Sequence, residues 1–85
     1  MQDVLARVQR AFGSAFDVEP GSVTIDTVPG DIRAWDSMGH VMLASSLEQE
    51  FGVTFDVDEL MDMENVREIV RILQSKLARL DEAVT

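Results

Sequence analysis

Residues 35–40 read Trp35-Asp36-Ser37-Met38-Gly39-His40, and the fold turns on them. Before them, residues 17–36 hold both prolines, Gly21 and Gly30, with Val18, Val23, Ile25, Val28 and Ile32 scattered at neither helical nor strand spacing. After them Val41, Met42, Leu43, Leu47 and Phe51 recur as on a helix with a wide apolar face, and Gly52 stands at a C-cap position. The stretch marks the point where a long loop gives way to a helix. Its serine sits at that helix start, where Asp36 or Ser37 would satisfy the free N–H groups of the first turn.

Upstream, Val4, Leu5, Val8, Ala11, Phe12, Ala15 and Phe16 keep a helical period, with Asp3 as a candidate cap and Pro20-Gly21 closing the segment. The spaced aliphatics of the loop that follows would pin it to the core. Downstream, Asp56 and Glu59 have capping-box spacing and open a short helix in which Leu60 and Met61 are available to pack inward. Asn65 and Glu68 repeat that spacing. Beyond them Val66, Ile69, Val70, Leu73, Leu77 and Leu80 form a stripe opposite Arg67, Arg71, Lys76 and Arg79. The expected architecture is all-α: a small four-helix bundle of three longer helices and one short one, with a long loop between helices one and two.

Composition limits what such a chain can do. The 85 residues, 46% of them hydrophobic, suffice for one compact domain, residues 1–85, but not for a deep enclosed active site. With no cysteine, a disulfide framework and a thiolate zinc site are both excluded, the single histidine cannot build a metal site alone, and any thiol chemistry must be imported. Charges interrupt the first ten residues too early for a signal peptide, and no run of about 18 apolar residues occurs, so a cytoplasmic chain without a membrane partner is expected. A formal charge of -9, from 16 acids against 7 bases, repels nucleic acid and favours a basic protein partner. From Ala34 through Val66 the chain carries Asp36, Glu48, Glu50, Asp56, Asp58, Glu59, Asp62 and Glu64 without one Lys or Arg.

Catalysis fits poorly. A nucleophile elbow needs G-x-S-x-G, and Trp35 stands where its first glycine belongs. Ser37 and His40 could share a helical face, but a base needs an orienting third group, and a lone histidine on a helix is usually a plain surface residue. Read as a calcium loop, residues 56–68 put Leu60 and Met61 where a ligand and a glycine are required. Met38, Met42, Met61 and Met63 suit core or partner-facing gaps better than metal ligation. No catalytic residue and no metal site is expected. What remains for Ser37 is capping, attachment, or both, since a phosphodiester at a helix N-terminus is held by oriented N–H groups and the helix dipole.

Asp36-Ser37-Met38, the run from Val41 to Val53, the acidic segment 56–62 and the closing 65–73 together resemble the acyl carrier proteins over nearly the whole chain. In that family an Asp-Ser-Leu serine bears 4′-phosphopantetheine. The resemblance implies attachment at Ser37 and a flexible arm that supplies the missing thiol. It further implies a chain that is not an enzyme but the substrate of others: a Mg²⁺-dependent phosphopantetheinyl transferase, then acyl-loading, synthase or other acyl-processing enzymes with basic docking patches. Asp36, Met38, Met42, Glu48 and Glu50 fall at the family's partner-recognition positions, and a monomer is implied.

Some positions depart from the family. Met38 replaces leucine, and Gly39, His40 and Met42 stand where fatty-acid carriers tend to have acids or small polar residues. These changes imply a specialised pathway, of fatty-acid or polyketide type or another secondary route. An alternative is a D-alanyl carrier of cell-wall modification, where Asp-Ser-Met-Gly also occurs. Outside the family there remains an unmodified acidic interaction domain. Charge alone leads to the expectation that reversing Glu48 or Glu50 weakens partner binding and that salt weakens it too.

Overall fold

The computed structural model describes residues 2–84, with side-chain surroundings for 4–79. Its helices are α1 (Gln2–Phe16), α2 (Ser37–Phe51), α3 (Val57–Asp62) and α4 (Val66–Val84), and no strand occurs among the described residues. The all-α bundle and its long loop are those expected. Several boundaries differ. Asp3 lies inside α1 rather than ahead of it. Pro20-Gly21 does not end that helix; Asp17 does, in the left-handed region at φ 56°, with its N–H on the carbonyl of Gly13 at 2.9 Å. A short polar side chain tolerates that conformation better than most.

The core forms where the apolar stripes meet. Val8 and Phe12 of α1, Leu43 and Leu47 of α2, Met63, and Val66, Ile69 and Leu73 of α4 are all sealed from solvent. Leu77 packs at the edge of this cluster, and Leu80 lies outside the described side chains. The apolar face expected for α2 divides in two, because Leu43, Leu47 and Phe51 turn inward while Val41 and Met42 face solvent. Met61 is likewise 72% exposed rather than packed inward. A six-residue helix has too few turns to bury both it and Leu60.

The loop is stapled along its length. Val23 is fully buried, and Ile25 and Ile32 pack on the core, whereas Val28 faces solvent. Two single 3-10 turns, Pro20–Ser22 and Pro29–Asp31, shape the path. Gln9 of α1 donates to the carbonyl of Val23, and the N–H of Val66 donates to that of Thr27 at 3.1 Å, so loop polar groups are bound to both α1 and α4. Trp35, 5% exposed, meets Phe12 edge to face at 5.0 Å and anchors the loop's far end.

Polar side chains fasten the fold at three points. Glu50 lies between Arg7 and Arg10, at 3.4 and 3.2 Å, which joins α1 to the end of α2. Asn65 caps α4 by accepting from the N–H of Glu68, but Glu68 turns to Arg71 instead of completing the second capping box. The first box is complete: Asp56 accepts from the N–H of Glu59 at 2.8 Å, and Glu59 accepts from that of Asp56 at 3.0 Å. The other Glu59 oxygen meets Lys76 of α4 at 2.9 Å. Lys76 above all, then the Asp56 N–H, lowers the carboxyl pKa of Glu59 below its ordinary value.

A depressed carboxyl contributes stability above its unfolded pKa and loses that contribution as pH falls through the folded one. Glu59→Gln should therefore cost about 1 kcal/mol at neutral pH. It should also flatten the acid limb of the stability curve below the ordinary carboxylate pKa, as read by urea unfolding across pH. An acid limb identical to wild type contradicts this assignment.

Candidate functional site

The N-terminus of α2 is built so that one residue is left free. Asp36, in extended conformation, is the N-cap: its Oδ1 accepts the N–H of Gly39 at 2.8 Å, and its carbonyl accepts that of His40 at 2.8 Å. Of the two candidate caps, the acid is the one used. Ser37 is the first helical residue, exposed, and its hydroxyl has no hydrogen-bond partner among the described residues. The N–H groups of Ser37 and Met38 likewise have no protein acceptor there, as expected for the first turn of a helix.

Gly39 fixes how closely loop and helix meet. A Cβ at this position would lie 1.8 Å from the carbonyl oxygen of Ala34 and 3.1 Å from Cε1 of Phe16. Any side chain would push the loop off the helix and carry Asp36 and Ser37 with it. Sequence reading named Gly39 only as a departure from related chains; its cause is a contact between segments, which spacing does not reveal.

His40 is not the plain surface residue expected. The indole N–H of Trp35, which can only donate, reaches Nδ1 at 2.9 Å, so Nδ1 carries no proton. Nε2–H then donates to the carbonyl of Leu60 at 2.8 Å. The ring clamps the loop end, α2 and α3 together. With both nitrogens engaged, it is not a general base for Ser37.

The other candidate residues separate into two groups. Met38, Val41 and Met42 are 79%, 59% and 57% exposed and share one face of α2. Glu48 and Glu50 flank that face on opposite sides and are engaged internally, Glu48 accepting the N–H of Phe55 at 2.8 Å. Asp36 remains exposed beside Ser37. The centre of the outward face is thus apolar. Val57 and Met61 of α3 add two further exposed apolar side chains. Among the described residues, no group of three or more His, Asp or Glu side chains could hold a metal ion. No helix there is long and apolar enough to cross a membrane.

Known proteins similar to this chain include acyl carrier proteins. The family described as the phosphopantetheine attachment site matches residues 34–73, which begin just before Ser37. The chain is 31% identical to an acyl carrier protein of Petrotoga mobilis over 80 residues, covering 94% of each. It is 28% identical to an acyl carrier protein of Treponema pallidum over 78 residues, covering 91% of this chain and 99% of that one. It is also 33% identical over 86 residues to part of a non-reducing polyketide synthase of Emericella nidulans, of which it spans 3%.

Because the cap is Asp36, Asp36→Ala should lose about 1 kcal/mol while Ser37→Ala keeps wild-type stability. Gly39→Ala should lose more than either, about 1–3 kcal/mol, from the clash with Ala34. Chemical unfolding of the three variants checks the order. A Ser37→Ala variant weaker than Asp36→Ala contradicts it.

Proposed function

The chain belongs to the acyl carrier protein family, non-catalytic carriers of covalent 4′-phosphopantetheine, and on that premise we propose that Ser37 is the attachment residue. The observation that carries the proposal is an exposed, unbonded hydroxyl at a rigidly capped helix start, inside the matched segment. The residues suit the group. A phosphodiester on Ser37 would lie beside the open N–H groups of Ser37 and Met38 at the positive end of the helix dipole. The arm supplies the sulfur that a cysteine-free chain lacks, and acyl groups are held on it as thioesters.

Modification takes place on a phosphopantetheinyl transferase. The Ser37 oxygen attacks the phosphorus of the coenzyme A pyrophosphate that bears the pantetheine. The new O–P bond forms as the bond to the bridging oxygen breaks, adenosine 3′,5′-bisphosphate leaves, and the serine proton passes to a base of the transferase. Mg²⁺ and basic groups there offset the developing charge.

Residues 1–85 act as one monomeric, cytoplasmic carrier unit. Its cargo belongs to a specialised pathway of polyketide type, a reading supported by the likeness to part of a polyketide synthase and by the methionines at 38 and 42. Partners dock across Met38, Val41 and Met42, with Asp36 at one end meeting basic groups. Glu48 and Glu50, held from the flanks by internal bonds, contribute less than charge alone implied. Salt then affects the encounter more than the bound complex.

Incubation with coenzyme A, Mg²⁺ and a broad-specificity transferase tests both statements. The intact mass should gain one phosphopantetheine in wild type and none in Ser37→Ala, and Met42→Lys should raise the transferase KM more than Glu50→Lys. Absence of the mass gain, or its persistence in Ser37→Ala, overturns the attachment site. A larger KM effect from Glu50→Lys overturns the apolar docking face.

A further inference from the structure

Four methionines lie among the residues whose side chains are described, and they fall into two settings. Met63 is 2% exposed and belongs to the core, whereas Met38, Met42 and Met61 are all well exposed. Met38 and Met42 are one turn apart on α2, so their Cβ atoms lie about 5–6 Å from each other. Met61 follows Leu60, whose carbonyl is 2.8 Å from the ring of His40, so its backbone stands beside the same first turn. Three solvent-facing thioethers are thus carried by the two helices that meet at the Ser37 end of α2.

Nothing else in the chain competes with them for an oxidant. There is no cysteine and no tyrosine. The one tryptophan, Trp35, is buried, and both nitrogens of the one histidine, His40, are hydrogen-bonded. An apolar face does not itself call for sulfur, because leucine has nearly the same volume and helix propensity. Methionine differs from leucine in being more adaptable and in being able to take an oxygen atom onto its side chain.

We infer that Met38, Met42 and Met61 form a reversible oxidation site that closes this surface to partners, an inference that rests on the docking face proposed above. The oxidant is a peroxide. A sulfur lone pair attacks one peroxide oxygen, the S–O bond forms as the O–O bond breaks, and the second oxygen leaves as water in the case of hydrogen peroxide. Each thioether loses two electrons and becomes a sulfoxide, while the peroxide is reduced. A dithiol acting through the two methionine sulfoxide reductases, one for each sulfoxide epimer, reverses the step: the oxygen leaves as water and the dithiol becomes a disulfide. The sulfoxide is polar. In the free carrier it stays in water, but against an apolar partner it must give up that water, so the modification penalises the complex rather than the fold. Met63, sealed in the core, is spared for as long as the chain stays folded.

The test treats apo wild type, and a variant carrying Met38→Leu, Met42→Leu and Met61→Leu, with hydrogen peroxide. Both are then freed of peroxide, mapped by peptide mass, and assayed with coenzyme A, Mg²⁺ and an untreated phosphopantetheinyl transferase. The expected result for wild type is sulfoxide at 38, 42 and 61 with Met63 intact, cooperative urea unfolding retained, and a transferase KM raised several-fold with kcat nearly unchanged. Both reductases with dithiothreitol should restore that KM. The leucine variant, apolar but free of sulfur on this surface, should keep its KM through the treatment. Oxidation of Met63 as fast as the other three overturns the site. Full oxidation of the three with no change in KM, or an equal rise in the treated leucine variant, overturns the switch. Met42→Lys then separates the two readings: a raised KM in that variant leaves the docking face standing and removes only the switch, whereas an unchanged KM removes both.

Discussion

The close approach of the Ala34 carbonyl to the first turn of α2 at Gly39 governs the rest of the structure. Only a residue without a Cβ lets the loop end lie flat against the helix. That contact places Asp36 where its carboxylate reaches the N–H of Gly39, and sets Trp35 where its ring seals Phe12 and its N–H reaches His40. Through His40 the same joint extends to α3. The serine follows as a consequence. With the cap supplied by its neighbour and the helix held from below, Ser37 has no structural task and projects from a turn that cannot easily move.

Charge is divided between structure and surface in a way that net charge conceals. Glu48, Glu50 and Glu59 each bind a partner within the chain, at the joints between α2 and α3, α1 and α2, and α3 and α4. Exposed ion pairs add little on their own, but Glu59 also accepts the N–H of Asp56, and Glu48 accepts that of part-buried Phe55, where an unmet donor is more costly. The outward face of α2 has Met38, Val41 and Met42 at its centre, with Asp36 exposed at its N-terminal end. Methionine adapts to irregular apolar surfaces, so the centre of this face suits partners of varied shape.

Local features were legible in the sequence. Gly52 at φ 67°, the Asp56–Glu59 box and the α4 stripe each follow from a few neighbouring residues, and each lies where spacing put it. The start of α2 at Asp36 and Ser37 was legible too, because a capping acid, a serine and the first apolar-periodic residues are adjacent in the chain. What spacing missed was set by contacts between distant segments. Val41 and Met42 fit the helical period, yet one helix cannot say how wide its buried face will be; tertiary packing limits it to Gly39, Leu43, Ala44, Leu47 and Phe51. His40 and Gly39 owe their roles to Leu60 and Ala34, and Glu50 owes its role to arginines 40 and 43 positions away. No local pattern announces such pairings.

The central claim is that α2 begins on a fixed cap and leaves Ser37 open. Backbone amide hydrogen exchange across residues 37–40 tests it most directly. The amides of Gly39 and His40, bound to Asp36, should exchange only with global unfolding, while those of Ser37 and Met38 exchange at nearly the rate of an unfolded chain. Similar protection at all four, or a Gly39 amide as fast as that of Ser37, contradicts the account.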